Sequence, residues 1–224
     1  MSVPRGLVIF DLDNTLIDRD RFFWEWAQAF IQEQGLDPKA ALEVLRAADR
    51  DGMAPREMFF EEVRSRLALS TPVADLVSGY WCDQLGRYTC DPETIAGTQL
   101  LREAGYKLGI ATNGGTRQIE KIEACGLDEL VDAVCVSGLV GFAKPDPRIF
   151  QVLAGRCGTT LERAWVVGDR PDSDIAGAIR IGARSVWIRR GQAWTAADFH
   201  PTLIADTAWR AVSLILDADA TVDH

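Results

Sequence analysis

Acidic, hydroxyl, amide and ammonium side chains follow short apolar runs of this sequence at the point where each run ends. Asp11 and Asp13 follow the first run, and Asp169 follows a later one. Carboxylates gathered at one place repel each other unless protons or a cation intervene, and Mg2+ binds such oxygen ligands together with phosphate oxygens. The further candidates are Thr112, Asn113, Lys144 and Asp174. This inventory predicts a magnesium site that handles a phosphorylated ligand.

The apolar runs before these residues are short and rich in β-branched side chains, which favours buried parallel strands. They lie at 7–10, 108–111, 133–136, 165–167 and 186–188, and Leu203-Ile204 adds a short sixth strand. Helical patterns follow at 117–125, 147–156, 174–181 and about 207–216, before an acidic end, 217–224, that is expected to fray. Alternating strands and helices predict an α/β fold with a doubly wound parallel sheet, a Rossmann-like core. Ligands of such a sheet bind beyond the carboxyl ends of its strands, where the candidate residues lie.

The stretch between the first and second runs shows no strand pattern. It spans about 75 residues, far more than the usual two to six residues of a loop in this type of fold. Four segments in it carry apolar residues at helical spacing, the pattern of helices packed on a shared core. They contain Phe22, Phe23, Trp26 and Phe30; Ala41, Leu42, Leu45 and Ala48; Met58, Phe59, Val63 and Leu67; Val73, Leu76, Val77, Tyr80 and Trp81. We predict a helical-bundle cap over 17–90, inserted in an α/β core made of 1–16 and 91–224.

Charge and hydropathy exclude several classes of partner. The net charge is -9 and the sequence has no Lys/Arg run, which argues against nucleic acid and anionic membranes as partners. A small anionic substrate needs only a few local donors. Residues 1–6 lack the features of a signal peptide and no stretch is apolar enough to span a bilayer, so a cytoplasmic protein is expected. Five scattered cysteines suggest neither a disulfide framework nor a zinc site.

Four motifs occur in order along the chain: Asp11-Leu12-Asp13-Asn14-Thr15, Thr112-Asn113-Gly114, Lys144-Pro145-Asp146, and Gly168-Asp169 with Asp174 further on. Together they resemble the haloacid dehalogenase-like (HAD) hydrolase superfamily, most of whose members are phosphatases, over nearly the whole chain. The helical insertion is similar to the class with an α-helical cap between motifs one and two. Motifs one and two are also similar to those of the nucleotidase and sugar-phosphatase branches.

The resemblance implies a role for each acid of the first motif. Asp11 is the nucleophile that forms an aspartyl-phosphate, which divides one difficult displacement into two easier ones. Asp13 protonates the leaving oxygen and then activates water, while its backbone carbonyl contacts the metal.

The remaining motif residues receive supporting roles from the same resemblance. Thr112 and Asn113 donate hydrogen bonds to the phosphoryl oxygens, and Lys144 offsets negative charge. Asp169 completes the Mg2+ site with Asp11 and Asp13. Asp174 is expected to contact the metal or to orient Lys144 or a metal-bound water, with a helix N-cap as the alternative.

The expected activity is magnesium-dependent hydrolysis of a small phosphate monoester, such as a nucleotide, a sugar phosphate or phosphoglycolate. An acid at position 13 disfavours a dehalogenase, which has no alkoxide to protonate, but it is equally expected in a phosphomutase. A non-catalytic phospho-receiver or binding module is the alternative from another class. Asp18, Arg19 and Arg21 are candidates for substrate contacts from the first helix of the cap, the alternative being a solvated helix start.

Overall fold

Six parallel strands form a single sheet in the order β3-β2-β1-β4-β5-β6. The computed structural model describes residues 4–221. The strands are β1 Gly6–Phe10, β2 Tyr106–Thr112, β3 Ala133–Val136, β4 Trp165–Gly168, β5 Arg184–Ile188 and β6 Leu203–Ala205. Every residue of β1 and of β4 is buried, which explains why these strands appear in the sequence as continuous apolar runs. The prediction of a doubly wound parallel sheet is confirmed.

Helices connect these strands. They are α5 Pro92–Glu103, α6 Arg117–Ala124, α7 Ser137–Val140, α8 Pro147–Arg156, α9 Ala176–Arg180 and α10 Ala208–Ala220. The helix predicted at 174–181 is wrong in its first turn, because Pro171–Ile175 form a π-helical turn and α9 begins only at Ala176. This wider turn ends the loop that leaves β4.

The acidic C-terminal segment departs from the prediction. We expected the last helix to end near 216 and the chain to fray beyond it, but α10 continues to Ala220. The cause is Asp219, which is buried and accepts hydrogen bonds from Tyr106 Oη, Trp165 Nε1 and the Arg184 guanidinium. An acid with three donors is held in place, so the expectation of fraying is wrong for 217–221. Residues 222–224 lie outside the described part of the chain.

Residues Arg19–Tyr88 form a second compact unit, and the described chain on either side of it forms the first. The predicted boundaries, 16/17 and 90/91, each lie two residues from the observed ones. The second unit consists of α1 Arg19–Glu33, α2 Pro38–Asp49, α3 Arg56–Arg66 and α4 Val73–Leu85. Its core is aromatic, with Phe23, Trp26 and Phe59 buried. Leu42 and Met58 of the predicted stripes are exposed instead.

Candidate active site

Three carboxylates converge at the carboxyl ends of two neighbouring strands. Asp11 follows β1, and Asp169 follows β4, which pairs with β1 in parallel. Asp174 comes from the π-helical turn. One oxygen of each carboxylate lies within 4.8 Å of an oxygen of the other two. The sheet topology therefore brings together acids that are more than 150 positions apart in the sequence.

Lys144 lies among these acids. Its Nζ is 2.6 Å from Asp11 Oδ1 and 2.7 Å from Asp174 Oδ1, and its side chain is 3% exposed. Asn113 fixes the Lys144 backbone, since its Nδ2 donates to the Lys144 carbonyl and its Oδ1 accepts from the Lys144 N–H. Within residues 4–221 this arrangement places one buried ammonium among three carboxylates.

The electrostatics of the cluster follow from this imbalance. Burial, which outweighs the attraction of Lys144, raises the pKa of Asp11 to about 7. Burial, together with the charges of Asp11 and Asp174, raises the pKa of Asp169 to about 8. The pKa of Lys144 is raised as well, because the two acids it contacts outweigh its burial. The ammonium remains charged, and the acids still lack positive charge.

The donor set fits a hard divalent cation. It consists of carboxylate oxygens, the ligand type that Mg2+ takes in one or two copies beside phosphate oxygens. Asp174 Oδ1 is buried, and it shares the one ammonium of Lys144, at 2.7 Å, with Asp11. Asp11, Asp169 and Asp174 would hold the ion. The carboxylate of Asp13 is not part of this cluster.

Asp174 is not a helix N-cap. Its side chain is fully buried and accepts a hydrogen bond from the Arg170 N–H at 3.0 Å. Gly168 makes this position possible, because a Cβ at residue 168 would lie 2.2 Å from Asp174 Oδ2. Asp174 instead contacts Lys144 and lies in the carboxylate cluster with Asp11 and Asp169.

Thr112 and Asp13 share a partner that the sequence did not reveal. Gln118 Nε2 donates to Asp13 Oδ2 at 2.9 Å and to Thr112 Oγ1 at 2.7 Å. Lys121 Nζ donates to both Asp13 oxygens at 2.8 Å. Both residues are buried on α6 and stand three apart, so they lie on one face of the helix. Polar side chains at that spacing, in line with the buried Ile122, are the signal that could have identified them.

Arg19 and Arg21, two of the candidates for substrate contacts, have partners within the helical unit. Arg19 is buried and binds Asp49 through two hydrogen bonds of 2.8 and 2.5 Å. Arg21 stacks on the ring of Phe22, with 4.6 Å from its Cζ to the ring centroid. The burial of Arg19 contradicts a solvated helix start, while its contact with a substrate stays a prediction.

Asp18 is the remaining candidate of that group, and it belongs to the first unit. Its Oδ1 accepts a hydrogen bond of 2.6 Å from Arg190, in the loop after β5.

A family model, haloacid dehalogenase-like hydrolase, matches residues 6–182. The chain belongs to this family. Glyceraldehyde 3-phosphate phosphatase of Methanopyrus kandleri is 32% identical over 196 residues, covering 83% of this chain and 84% of that protein. Phosphoserine phosphatase of Thermus thermophilus is 32% identical over 176 residues, with coverage of 77% and 71%. The magnesium-bound YfnB of Bacillus subtilis shares the fold, with a TM-score of 0.76, 18% identity and coverage of 95% and 99%.

These findings confirm the predicted superfamily and the predicted class of enzyme. The protein is a HAD hydrolase of the phosphatase type. In the part of the chain that the structure describes, no helix combines the length and apolarity needed to cross a membrane.

Proposed function

We propose that the protein hydrolyses a small phosphate monoester with the help of Mg2+ and through an aspartyl-phosphate at Asp11. The observation that carries this proposal is the cluster of three carboxylates around one buried ammonium, with oxygens within 4.8 Å of each other. Such a cluster lacks positive charge and offers the oxygen ligands that Mg2+ uses together with a phosphate. When bound, the ion would neutralise charge on the transferring phosphoryl group.

Asp11 would act as the nucleophile. One of its carboxylate oxygens attacks phosphorus, the ester P–O bond breaks, and the electron pair of that bond stays on the leaving oxygen. Lys144, 2.6 Å from Asp11 Oδ1, holds the nucleophile in position and offsets the negative charge that approaches it.

Asp13 would carry the proton in both halves of the reaction. In the first half its carboxyl group gives a proton to the leaving oxygen. In the second half the carboxylate takes a proton from the water that attacks phosphorus, and the bond to Asp11 breaks, which restores both acids and releases phosphate. Its backbone carbonyl is proposed as a further metal ligand.

Phosphate contacts are proposed for Thr112 and Asn113. Thr112 Oγ1 accepts from Gln118, which leaves its own hydroxyl hydrogen for a phosphoryl oxygen. Asn113 Nδ2 donates one hydrogen to the Lys144 carbonyl and its Oδ1 accepts from the Lys144 N–H, and its second amide hydrogen is proposed for a phosphoryl oxygen.

The relatives support a substrate class of small metabolites. Glyceraldehyde 3-phosphate and phosphoserine, named in the two relatives, are both phosphate esters of three-carbon compounds. We propose esters of this size as first candidates, ahead of nucleotides, sugar phosphates and phosphoglycolate.

A panel of these esters tests the proposal. Purified protein should release inorganic phosphate from at least one of them with Mg2+ and should lose this activity in excess chelator. Conversion of a sugar phosphate to its isomer, without phosphate release, would instead favour a phosphomutase. Absence of both products with every ester, at saturating Mg2+, would contradict the proposed function. Asp206→Asn serves as the control variant in the same assay. It changes an exposed acid paired with Arg189, and it therefore shows the effect of losing a surface charge alone.

A further inference from the structure

We infer that Lys121 and Gln118 position the carboxyl group of Asp13 for its two proton transfers. This inference rests on the proposed function, because it assigns these residues to the acid and base of that reaction. Both lie on α6, which follows the short loop after Thr112, the last residue of β2. Neither belongs to the four motifs of the family resemblance.

The contacts fix the plane of the Asp13 carboxyl group. Lys121 Nζ lies 2.8 Å from both oxygens, and Gln118 Nε2 lies 2.9 Å from Oδ2. The Asp13 side chain is 29% exposed, so hydrogen bonds contribute to its orientation besides packing. Three hydrogen bonds, two of them from an ammonium, hold it in one orientation.

The orientation of Gln118 is itself determined by its neighbours. Its amide nitrogen donates one hydrogen to Asp13 and the other to Thr112 Oγ1, so both hydrogens are used by acceptors of the site. Gly114 leaves space for the Gln118 side chain, because a Cβ at residue 114 would lie 2.8 Å from Gln118 Cγ. The φ of Gly114 is 151°, a backbone conformation that residues with side chains rarely adopt. The glycine of motif two therefore makes room for the side chain that aligns Asp13 with Thr112.

The burial of Lys121 favours a chemical role for its ammonium over a purely structural one. Its side chain is 7% exposed, and burying an ammonium is costly unless it is paired. A well-packed apolar residue serves stability equally well in such a place. The ammonium offers something that an apolar residue lacks, namely a positive charge 2.8 Å from the acid.

That charge acts during the first half of the reaction. As the ester bond breaks, its electron pair moves to the leaving oxygen, which receives the proton of Asp13. Negative charge then grows on the Asp13 carboxylate beside Lys121 Nζ. An ammonium already in place stabilises this charge in the transition state more than in the ground state, which lowers the barrier. In the second half the same contact keeps the carboxylate aimed at the attacking water.

Two esters of similar size test the inference, phenyl phosphate and p-nitrophenyl phosphate. The nitro group stabilises the leaving phenolate, so that substrate needs little help from an acid. Lys121→Met should lower kcat/KM for phenyl phosphate by about 100-fold, within the range of general acid catalysis, and for p-nitrophenyl phosphate by less than about threefold. For p-nitrophenyl phosphate, kcat should nevertheless fall, because the attack of water still requires Asp13 as a base. KM should fall together with kcat, so that their ratio changes little. Lys121→Arg, which keeps the charge, should recover much of the phenyl phosphate activity.

Controls separate this effect from a loss of structure. Lys107→Met removes another lysine that pairs with an acid, Asp132 at 2.7 Å, and should leave both esters unchanged. If Lys121→Met does not fold, Gln118→Met is measured in the same way and should show the same selective loss. Equal losses of kcat/KM for the two esters, or no loss, would overturn the inference while leaving the phosphatase proposal intact. Wild-type protein that releases phosphate from neither these esters nor the panel would overturn the proposed function, and the inference with it.

Discussion

Two buried ionic clusters, one in each unit, both combine aspartates with basic side chains but differ in their balance of charge. Beyond β1 and β4, the carboxylates of Asp11, Asp169 and Asp174 share the ammonium of Lys144. In the helical unit, Asp49 alone receives two guanidinium groups, with two hydrogen bonds from Arg19 and one from Arg56, and a fourth from the Gly52 N–H. The first cluster has too little positive charge, and the second has ample positive charge.

The difference appears in the acids. Burial raises the pKa of Asp11 to about 7. Burial acts on Asp49 in the same direction, but the hydrogen bonds and charges of Arg19 and Arg56 outweigh it and hold its pKa below the usual value. Arg56 also lies over aromatic rings, 4.7 Å from the centroid of Phe59 and 5.2 Å from that of Tyr80. A satisfied cluster stabilises the fold, whereas an unsatisfied one is poised to bind a cation and its ligand.

The largest effect is expected from Asp11→Asn. Removal of the nucleophile should lower kcat by roughly 10⁴-fold or more. The thermal midpoint without metal should stay the same or rise, because one of the crowded carboxylates is gone. Phosphate release and differential scanning calorimetry measure the two quantities. Turnover near the wild-type rate would contradict the assignment of the nucleophile.

Asp49→Asn should have the reverse profile. It removes the acid that two buried guanidinium groups share and leaves Asp20, 3.1 Å from Arg19 Nη1, as the acid beside Arg19, which is expected to cost about 3 kcal/mol of unfolding free energy. Urea unfolding monitored by tryptophan fluorescence measures this loss. Arg21→Met, which removes an exposed charge from the same unit, is the control and should unfold near the wild-type urea concentration. A stability loss no larger than that of the control would show that the two clusters do not differ in this way.

The smallest effect is a pH-dependent stabilisation by Mg2+. In the metal-free protein the pKa values of Asp11 and Asp169 are raised to about 7 and about 8, so the folded state holds protons that the unfolded state has released. The contribution of these acids to stability therefore falls as pH rises from about 4 to about 8. Mg2+ competes with these protons, and the gain in thermal midpoint on adding Mg2+ should grow from pH 5 to pH 8. At 100 times its dissociation constant the ion adds about 2.7 kcal/mol.

The same titration has a direct control. Asp169→Asn removes one ligand and one raised pKa, and it should flatten the dependence of the Mg2+ effect on pH. A gain in midpoint that is equal at pH 5 and pH 8 in the wild-type protein would argue against metal binding at these acids.

The sequence predicted the parts of the structure that depend on local pattern. Buried parallel strands are continuous apolar runs, and ligands bind where such runs end, so Asp11 and Asp169 could be found by position alone, whereas Lys144, which follows β3 and α7, depended on its motif. The structure brings all three together.

The missed features depend on long-range contacts. Asp49 and Arg19 are 30 residues apart, and Asp219 meets Tyr106 across 113 residues. No local pattern distinguishes such a buried acid from a solvated one. Lys121 was missed for a related reason, since its role depends on which face of α6 is turned towards Asp13.

The side chain of Gln118 has a consequence for how this enzyme can change over evolutionary time. One amide group binds both Asp13, the proposed proton carrier, and the hydroxyl of Thr112, the proposed phosphate contact. A substitution at position 118 therefore alters proton transfer and phosphate contact in the same step. The two properties cannot be tuned separately from this position, so selection for a new leaving group has to act through other residues.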